Sequence, residues 1–79
     1  MASELNRREL DVRGLEPPEP LQRALEAMAS LQPGEQLHML IHREPLPLFD
    51  MLRENGYEYT TDRRDDGMFE ILIWETPTA

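Results

Sequence analysis

Two histidines, four residues apart, have a spacing that could contribute to a metal site. His38 and His42 lie in a short, mostly apolar run bounded by turn residues, which predicts a strand buried on much of both faces. Residues four apart on a strand face the same side but lie roughly 13 Å apart, so one ion cannot bridge them unless the backbone bends. We therefore expect two partly exposed histidines on one face of a sheet and no metal, with a histidine metal site as the alternative.

Four charged residues form a second candidate site, the Arg/Glu edge. Arg13 ends the first predicted strand, and Glu19 follows within a proline-rich segment. Arg43 and Glu44 follow the second predicted strand. Ligands of α/β layers often bind at the carboxyl ends of strands, so these side chains could line a small polar pocket. In the other interpretation, Arg–Glu pairs only lock the two loops together, and exposed pairs of this kind contribute about 0–1 kcal/mol each.

The composition excludes several kinds of chemistry. The chain has 79 residues and no cysteine, which rules out disulfides, thiolate metal ligands and a sulfur-carrying thiol. A net charge of −8 disfavours nucleic acids and anionic membranes as partners. The sequence shows no Ser/His/Asp set, glycine-rich phosphate loop or paired-carboxylate signature, so we expect neither an enzyme nor a cofactor. The first residues contain no apolar segment typical of a secretory signal, which predicts a cytoplasmic protein.

Polarity patterns predict six elements in the order β-α-β-α-β-β. Strands are predicted over residues 9–13, 36–42, 57–61 and 68–74. A helix is predicted after each of two proline clusters; one ends before Pro33 and Gly34, the other at Asn55 and Gly56. Right-handed crossovers place both helices on one face of the sheet, which predicts a two-layer α+β sandwich. The single domain is predicted to cover residues 9–75, with flexible tails at 1–8 and 76–79.

The sheet face opposite the helices is predicted to carry an apolar patch. Side chains alternate along a strand, so placing Met39, Ile71 and their same-parity neighbours under the helices sends Leu40, Leu72 and Trp74 outward. Apolar patches on small domains often mark contact surfaces. We therefore predict docking of a protein partner, or self-association, through Leu40, Leu72 and Trp74.

The start of the predicted domain carries a recognisable motif. Residues 10–20 read LDVRGLEPPEP and are followed by an amphipathic helix and a Pro33-Gly34-Glu35 turn. These features resemble the opening of the TusA/SirA-like sulfur carriers, and the similarity in element order extends to Trp74. The resemblance implies a four-stranded mixed sheet of order 1-2-4-3, with the last strand antiparallel.

The chain departs from these carriers at their functional residue. The carriers have a sulfur-accepting cysteine just before the Pro-x-Pro that opens the first helix, and here Pro17 occupies that place. A proline ring has no nucleophilic atom. The chain looks closer to a cysteine-less bacterial branch of the family, known as a domain of unknown function. Pro17, Pro18 and Pro20 also remove backbone donors, and Glu16 adds negative charge, so we expect no anion pocket at the helix start.

These observations lead to two expected functions. The first is a non-enzymatic interaction or regulatory module with a sulfur-carrier-like fold that lacks the sulfur-accepting cysteine. The alternative is a small-molecule or metal-binding domain that uses the Arg/Glu edge or the two histidines.

The missing cysteine leads to a direct prediction about sulfur transfer. Incubation with a persulfide-loaded cysteine desulfurase should leave the mass of the protein unchanged, because no side chain in the chain can accept the sulfur. Intact-mass spectrometry measures the outcome, with a cysteine-containing carrier as the positive control. A covalent sulfur adduct on this chain would contradict the prediction.

Overall fold

The computed structural model describes residues 7–76. These residues form six elements in the predicted order. They are β1 (Arg7–Asp11), α1 (Glu19–Ala29), β2 (Gln36–Ile41), α2 (Leu46–Glu54), β3 (Tyr57–Arg63) and β4 (Phe69–Glu75). The predicted elements are therefore all present, and their ends differ from the prediction by a few residues.

The ends of the described chain belong to the fold. β1 starts two residues earlier than predicted, because Arg7 and Arg8 pair with β2. At the other end, the Thr76 N–H donates to the Gly56 carbonyl oxygen at 2.8 Å. Residues 7, 8 and 76, which the sequence places in flexible tails, therefore belong to the fold, and the rest of the predicted tails lies outside the described residues.

The sheet has the strand order β1-β2-β4-β3. β1 runs parallel to β2, whereas β4 runs antiparallel to both of its neighbours. In this register Met39 of β2 lies opposite Ile71 of β4, and Tyr59 of β3 lies opposite Ile73 of β4. The mixed sheet implied by the family resemblance is confirmed.

The core lies between the sheet and the two helices. Every second residue of β2 is buried, and the same parity holds in β4, as the alternation predicts. The buried apolar residues are Val12, Ala24, Met28, Leu37, Met39, Ile41, Leu48, Phe49, Leu52, Ile71 and Ile73. Burial of each of the larger side chains contributes about 1.5–3 kcal/mol relative to its exposed state. Within residues 7–76, no helix is long and apolar enough to cross a membrane.

A tight turn joins β3 to β4. The Arg64 N–H donates to the Met68 carbonyl oxygen at 2.7 Å, and the Gly67 N–H donates to the Arg64 carbonyl oxygen at 3.0 Å. Gly67 has a φ of +86°, in the left-handed region that favours glycine. The turn also extends the ladder, because Asp62 and Arg63 pair with β4 beyond the predicted end of β3.

Replacing Gly67 with alanine should lower the free energy of unfolding by about 1–2 kcal/mol, the cost of an L side chain in the left-handed region. No atom lies within 4 Å of the position that a Cβ would take, so the cost comes from the backbone alone. Gly67→Asn is the matched control, because asparagine adopts this conformation more readily and should cost less. Urea denaturation followed by circular dichroism measures both, and equal losses would contradict the role assigned to Gly67.

Candidate functional site

A cleft of about 480 Å³ opens where β1 and β2 end and the two helices begin. β1 and β2 are parallel, so the loops that lead to α1 and α2 leave the sheet at the same edge. Five prolines from these loops and helix starts line the cleft: Pro17, Pro18, Pro20, Pro45 and Pro47. Apolar side chains complete most of the lining: Leu15, Leu21, Met39, Ile41, Leu46 and Leu48. The cleft is therefore mainly apolar, whereas one of the two interpretations of the sequence places a small polar pocket at this edge.

The helix starts explain why prolines surround the cleft. Pro18 and Pro45 are the N-cap residues of α1 and α2, and Pro20 and Pro47 lie in the first turns. Proline is tolerated at these positions because first-turn N–H groups have no acceptor within the helix. The same prolines can therefore start both helices and present apolar ring surface to the cleft.

Some of the remaining backbone donors at the helix starts bond within their own loops. The Glu19 N–H donates to the Glu16 carbonyl oxygen at 2.9 Å, and the Leu46 N–H donates to the Glu44 carbonyl oxygen at 3.0 Å. An anion at a helix start is stabilised by free N–H groups and by the helix dipole. These bonds reduce the number of free N–H groups that could bind an anion at the helix starts.

Four exposed residues of the β2–α2 loop and helix start line the cleft, and one of them is Pro47. Arg43 and Glu44 are adjacent, carry opposite charges and both contribute to the lining. Leu46 also lines the cleft. With 59% of its surface exposed, it is the one large apolar residue within residues 7–76 that is classed as exposed. The mouth therefore combines two adjacent residues of opposite charge with an exposed leucine and an exposed proline.

The structure does not bring the whole Arg/Glu edge together. Arg13 pairs with Asp11, through an Nη2–Oδ2 distance of 2.7 Å and an Nε–Oδ1 distance of 2.9 Å. Glu19 pairs with Arg23 one helical turn away, with an Oε2–Nη2 distance of 3.1 Å. In the described part of the chain, the ion pairs of Arg13 and Glu19 are thus local, and they do not lock the two loops to each other.

His42 has a position that strand alternation does not predict. β2 ends at Ile41, so His42 lies beyond the strand, where it lines the cleft. Its Nδ1 accepts a hydrogen bond from the Gly14 N–H at 3.4 Å, which links the β2–α2 loop to the β1–α1 loop. The nearby Pro45 was the sequence signal that the strand ends early and that parity no longer applies.

His38 lies elsewhere, on the side of the sheet away from the helices. Its Nδ1 is 2.6 Å from Glu9 Oε1 and its Nε2 is 3.5 Å from Glu70 Oε2, and 15% of the side chain is exposed. The structure therefore separates the two histidines, one in contact with carboxylates and the other at the cleft. Among residues 7–76, no three His, Asp or Glu side chains are arranged to hold a metal ion.

We call this side of the sheet the open face. The predicted contact residues Leu40, Leu72 and Trp74 lie on it and are half-buried. Leu40 lies opposite Glu70, and Trp74 donates from Nε1 to Glu58 Oε1 at 3.1 Å. Carboxylates thus lie beside these apolar residues, and contact through Leu40, Leu72 and Trp74 stays a prediction.

Comparison with known proteins supports the fold described above and gives the family of the chain. A crystal structure of a SirA-like protein from Desulfitobacterium hafniense has the same fold, with a TM-score of 0.74 and 28% sequence identity over 82% of this chain and 92% of that one. The SirA/TusA-like fold implied by the sequence is thereby confirmed. Residues 9–75 match the model of a family described as an uncharacterized conserved protein (DUF2249), and the chain belongs to that family. No curated protein matches the chain.

The contact between Arg13 and Asp11 leads to a prediction about pH. The Arg13 guanidinium and backbone N–H hydrogen-bond to Asp11 and lower the pKa of its carboxyl from 3.8 to about 2. A lowered pKa means that the pair stabilises the fold above pH 3.8, and that this stabilisation is lost as the pH falls towards 2. Arg13→Gln should raise the pKa of Asp11 towards its ordinary value.

Carboxyl carbon chemical shifts of Asp11, followed by NMR as a function of pH, measure this change. Arg43→Gln is the matched control, because it removes an equal charge from the neighbouring loop without touching Asp11. The assignment fails if Asp11 titrates at the same pH in the native protein and in Arg13→Gln.

Proposed function

We propose that this chain is a non-enzymatic binding module that holds an uncharged, largely apolar small molecule in the proline-lined cleft. The observation that carries the proposal is the cleft itself, at the place where the related sulfur carriers have their cysteine. Its volume of about 480 Å³ lies within the range of roughly 300–1,000 Å³ typical of small-molecule sites. Such sites are lined mainly by apolar side chains with a few polar groups, as this cleft is.

The polar groups at the cleft support binding without catalysis. Pro17 stands at the sulfur-accepting position and offers no nucleophile, and the chain contains no cysteine. His42 is engaged by the Gly14 N–H through Nδ1, so it links two loops together. Arg43 and Glu44 remain as the charged groups of the lining. This set is suited to orienting a ligand more than to transforming it.

The charges at the cleft support an uncharged ligand. Five prolines contribute rings without N–H groups, and the Leu46 N–H is already bonded to Glu44. Arg43 and Glu44 are adjacent and opposite in charge, so the mouth has no net preference for a cation or an anion. A ligand with an apolar body and neutral polar groups matches this environment best.

A bound molecule would stabilise the protein through both loops. The β1–α1 loop contributes Leu15, Pro17 and Pro18, and the β2–α2 side contributes Arg43, Glu44 and Leu46. A ligand that contacts both loops binds the folded state alone, so its binding free energy adds to the stability of the fold. This linkage gives a regulatory role a physical basis, because occupancy of the cleft would raise the free energy of unfolding.

A matched pair of probes tests the proposal: 2-naphthalenemethanol, which is neutral, and 2-naphthoate, which is anionic. In NMR titrations, the neutral probe should shift the backbone amides of Leu15, Leu21, His42 and Leu46, and the anion should bind at least about fivefold more weakly. Leu46→Ser should weaken binding by a similar factor, because it removes apolar surface at the mouth without exposing the core.

Met51→Ser is the control, since Met51 lies on the same helix but does not line the cleft. Equal binding of both probes would contradict the uncharged ligand class. Amide shifts confined to the open face, or an equal loss in Leu46→Ser and Met51→Ser, would contradict the cleft as the binding site.

A further inference from the structure

The open face carries far more negative than positive charge. Five carboxylates lie on the strands of this face: Glu9, Asp11, Glu58, Asp62 and Glu70. The strands contribute one cation to the same face, Arg7, at the start of β1. Arg13 and Arg64 lie where the strands end, and Arg64 pairs with Asp66 at 3.4 Å. The surface therefore has a strong excess of negative charge, and the arginines at its margins are each paired with an aspartate.

The described ion pairs neutralise little of this charge. Asp11 is paired with Arg13, but the other four carboxylates have no arginine within ion-pair distance in the described part of the chain. Glu9 and Glu70 both contact His38, and Glu58 accepts the hydrogen bond from Trp74. Four carboxylates thus remain available to a cationic group from outside.

Half-buried apolar side chains lie among these carboxylates. Leu72 lies between His38 of β2 and Thr60 of β3, near the middle of the sheet. Trp74 lies beside Glu58, and Leu40 lies beside Glu70. Protein contact surfaces commonly have an apolar centre and a polar rim, with aromatic residues enriched at the centre. The open face has these components, with acidic groups as its polar part.

The charge pattern decides between a second copy and a different partner. Two copies packed face to face would bring acidic surfaces together, and like charges in contact cost several kcal/mol. We infer that the open face docks a basic amphipathic segment of another protein, whose cationic side chains pair with Glu9, Glu58, Asp62 and Glu70 while its apolar side chains cover Leu72 and Trp74. This inference does not depend on the cleft.

A set of three short peptides tests the inference: one of alternating lysine and leucine, one of alternating glutamate and leucine, and one of alternating lysine and serine. Trp74 is the only tryptophan of the chain, so its fluorescence reports binding at this face. The lysine–leucine peptide should bind most tightly of the three. Its affinity should fall as salt rises from 0.1 M to 1 M, because the screening length falls from about 10 Å to about 3 Å over that range. The glutamate–leucine peptide should not bind.

Two double variants separate the face from the overall charge. The double variant Asp62→Asn with Glu70→Gln should lower the affinity for the lysine–leucine peptide at least about fivefold and make that affinity less dependent on salt. Glu26→Gln with Glu54→Gln is the control: it removes the same charge from the exposed sides of α1 and α2 and should leave binding nearly unchanged. Circular dichroism verifies that both variants fold.

Three outcomes would overturn the inference. One is failure of the lysine–leucine peptide to bind, and another is an equal loss of affinity in the two double variants. The third is a concentration-dependent dimer of the protein alone that changes Trp74 fluorescence, which would assign the face to a second copy.

Discussion

The parallel pairing of β1 with β2 is the constraint on which the cleft depends. Because the two strands run in the same direction, their loops leave the sheet at one edge and bring two sets of prolines together. Antiparallel strands would have sent these loops to opposite edges. The pairing continues beyond the strands, since the Val12 N–H donates to the Leu40 carbonyl oxygen at 2.9 Å and the Gly14 N–H reaches His42. The cleft is thus held by an extension of the sheet's own hydrogen bonding.

Proline changes what the same edge of this fold can recognise. A helix start with free N–H groups stabilises anions, including a thiolate or persulfide. Here Pro18 and Pro45 act as N-caps without side-chain capping bonds, and their neighbours contribute rings in place of donors. The backbone path is that of the SirA-like fold, and the surface at this edge is mainly apolar.

Sequence periodicity is sufficient for the six elements and for the faces of the sheet, whereas the strand order rests on the resemblance to the SirA-like fold. Alternation in β2 places Met39 under the helices and Leu40 on the open face, because a strand has no other option once one parity is buried. Periodicity could not choose the ion pairs of exposed side chains. Arg13 pairs with Asp11 and Glu19 pairs with Arg23, and each partner is near in the sequence. Such local pairs are favoured over pairs between the loops because closing a short stretch of chain costs little conformational entropy. The position of His42 was also not predicted, because alternation applies only within the strand and β2 ends at Ile41.

β2 contributes to both surfaces of the molecule. Met39 and Ile41 line the cleft, while His38 and Leu40 lie on the open face. The two loops line the cleft and β4 contributes to the open face, so a substitution in one of these segments can change one surface alone. The register of β2 serves both surfaces, because a slip of one residue in its pairing would exchange the two sets of side chains and erase both surfaces at once. The register of this one strand therefore keeps apart two surfaces of different chemistry.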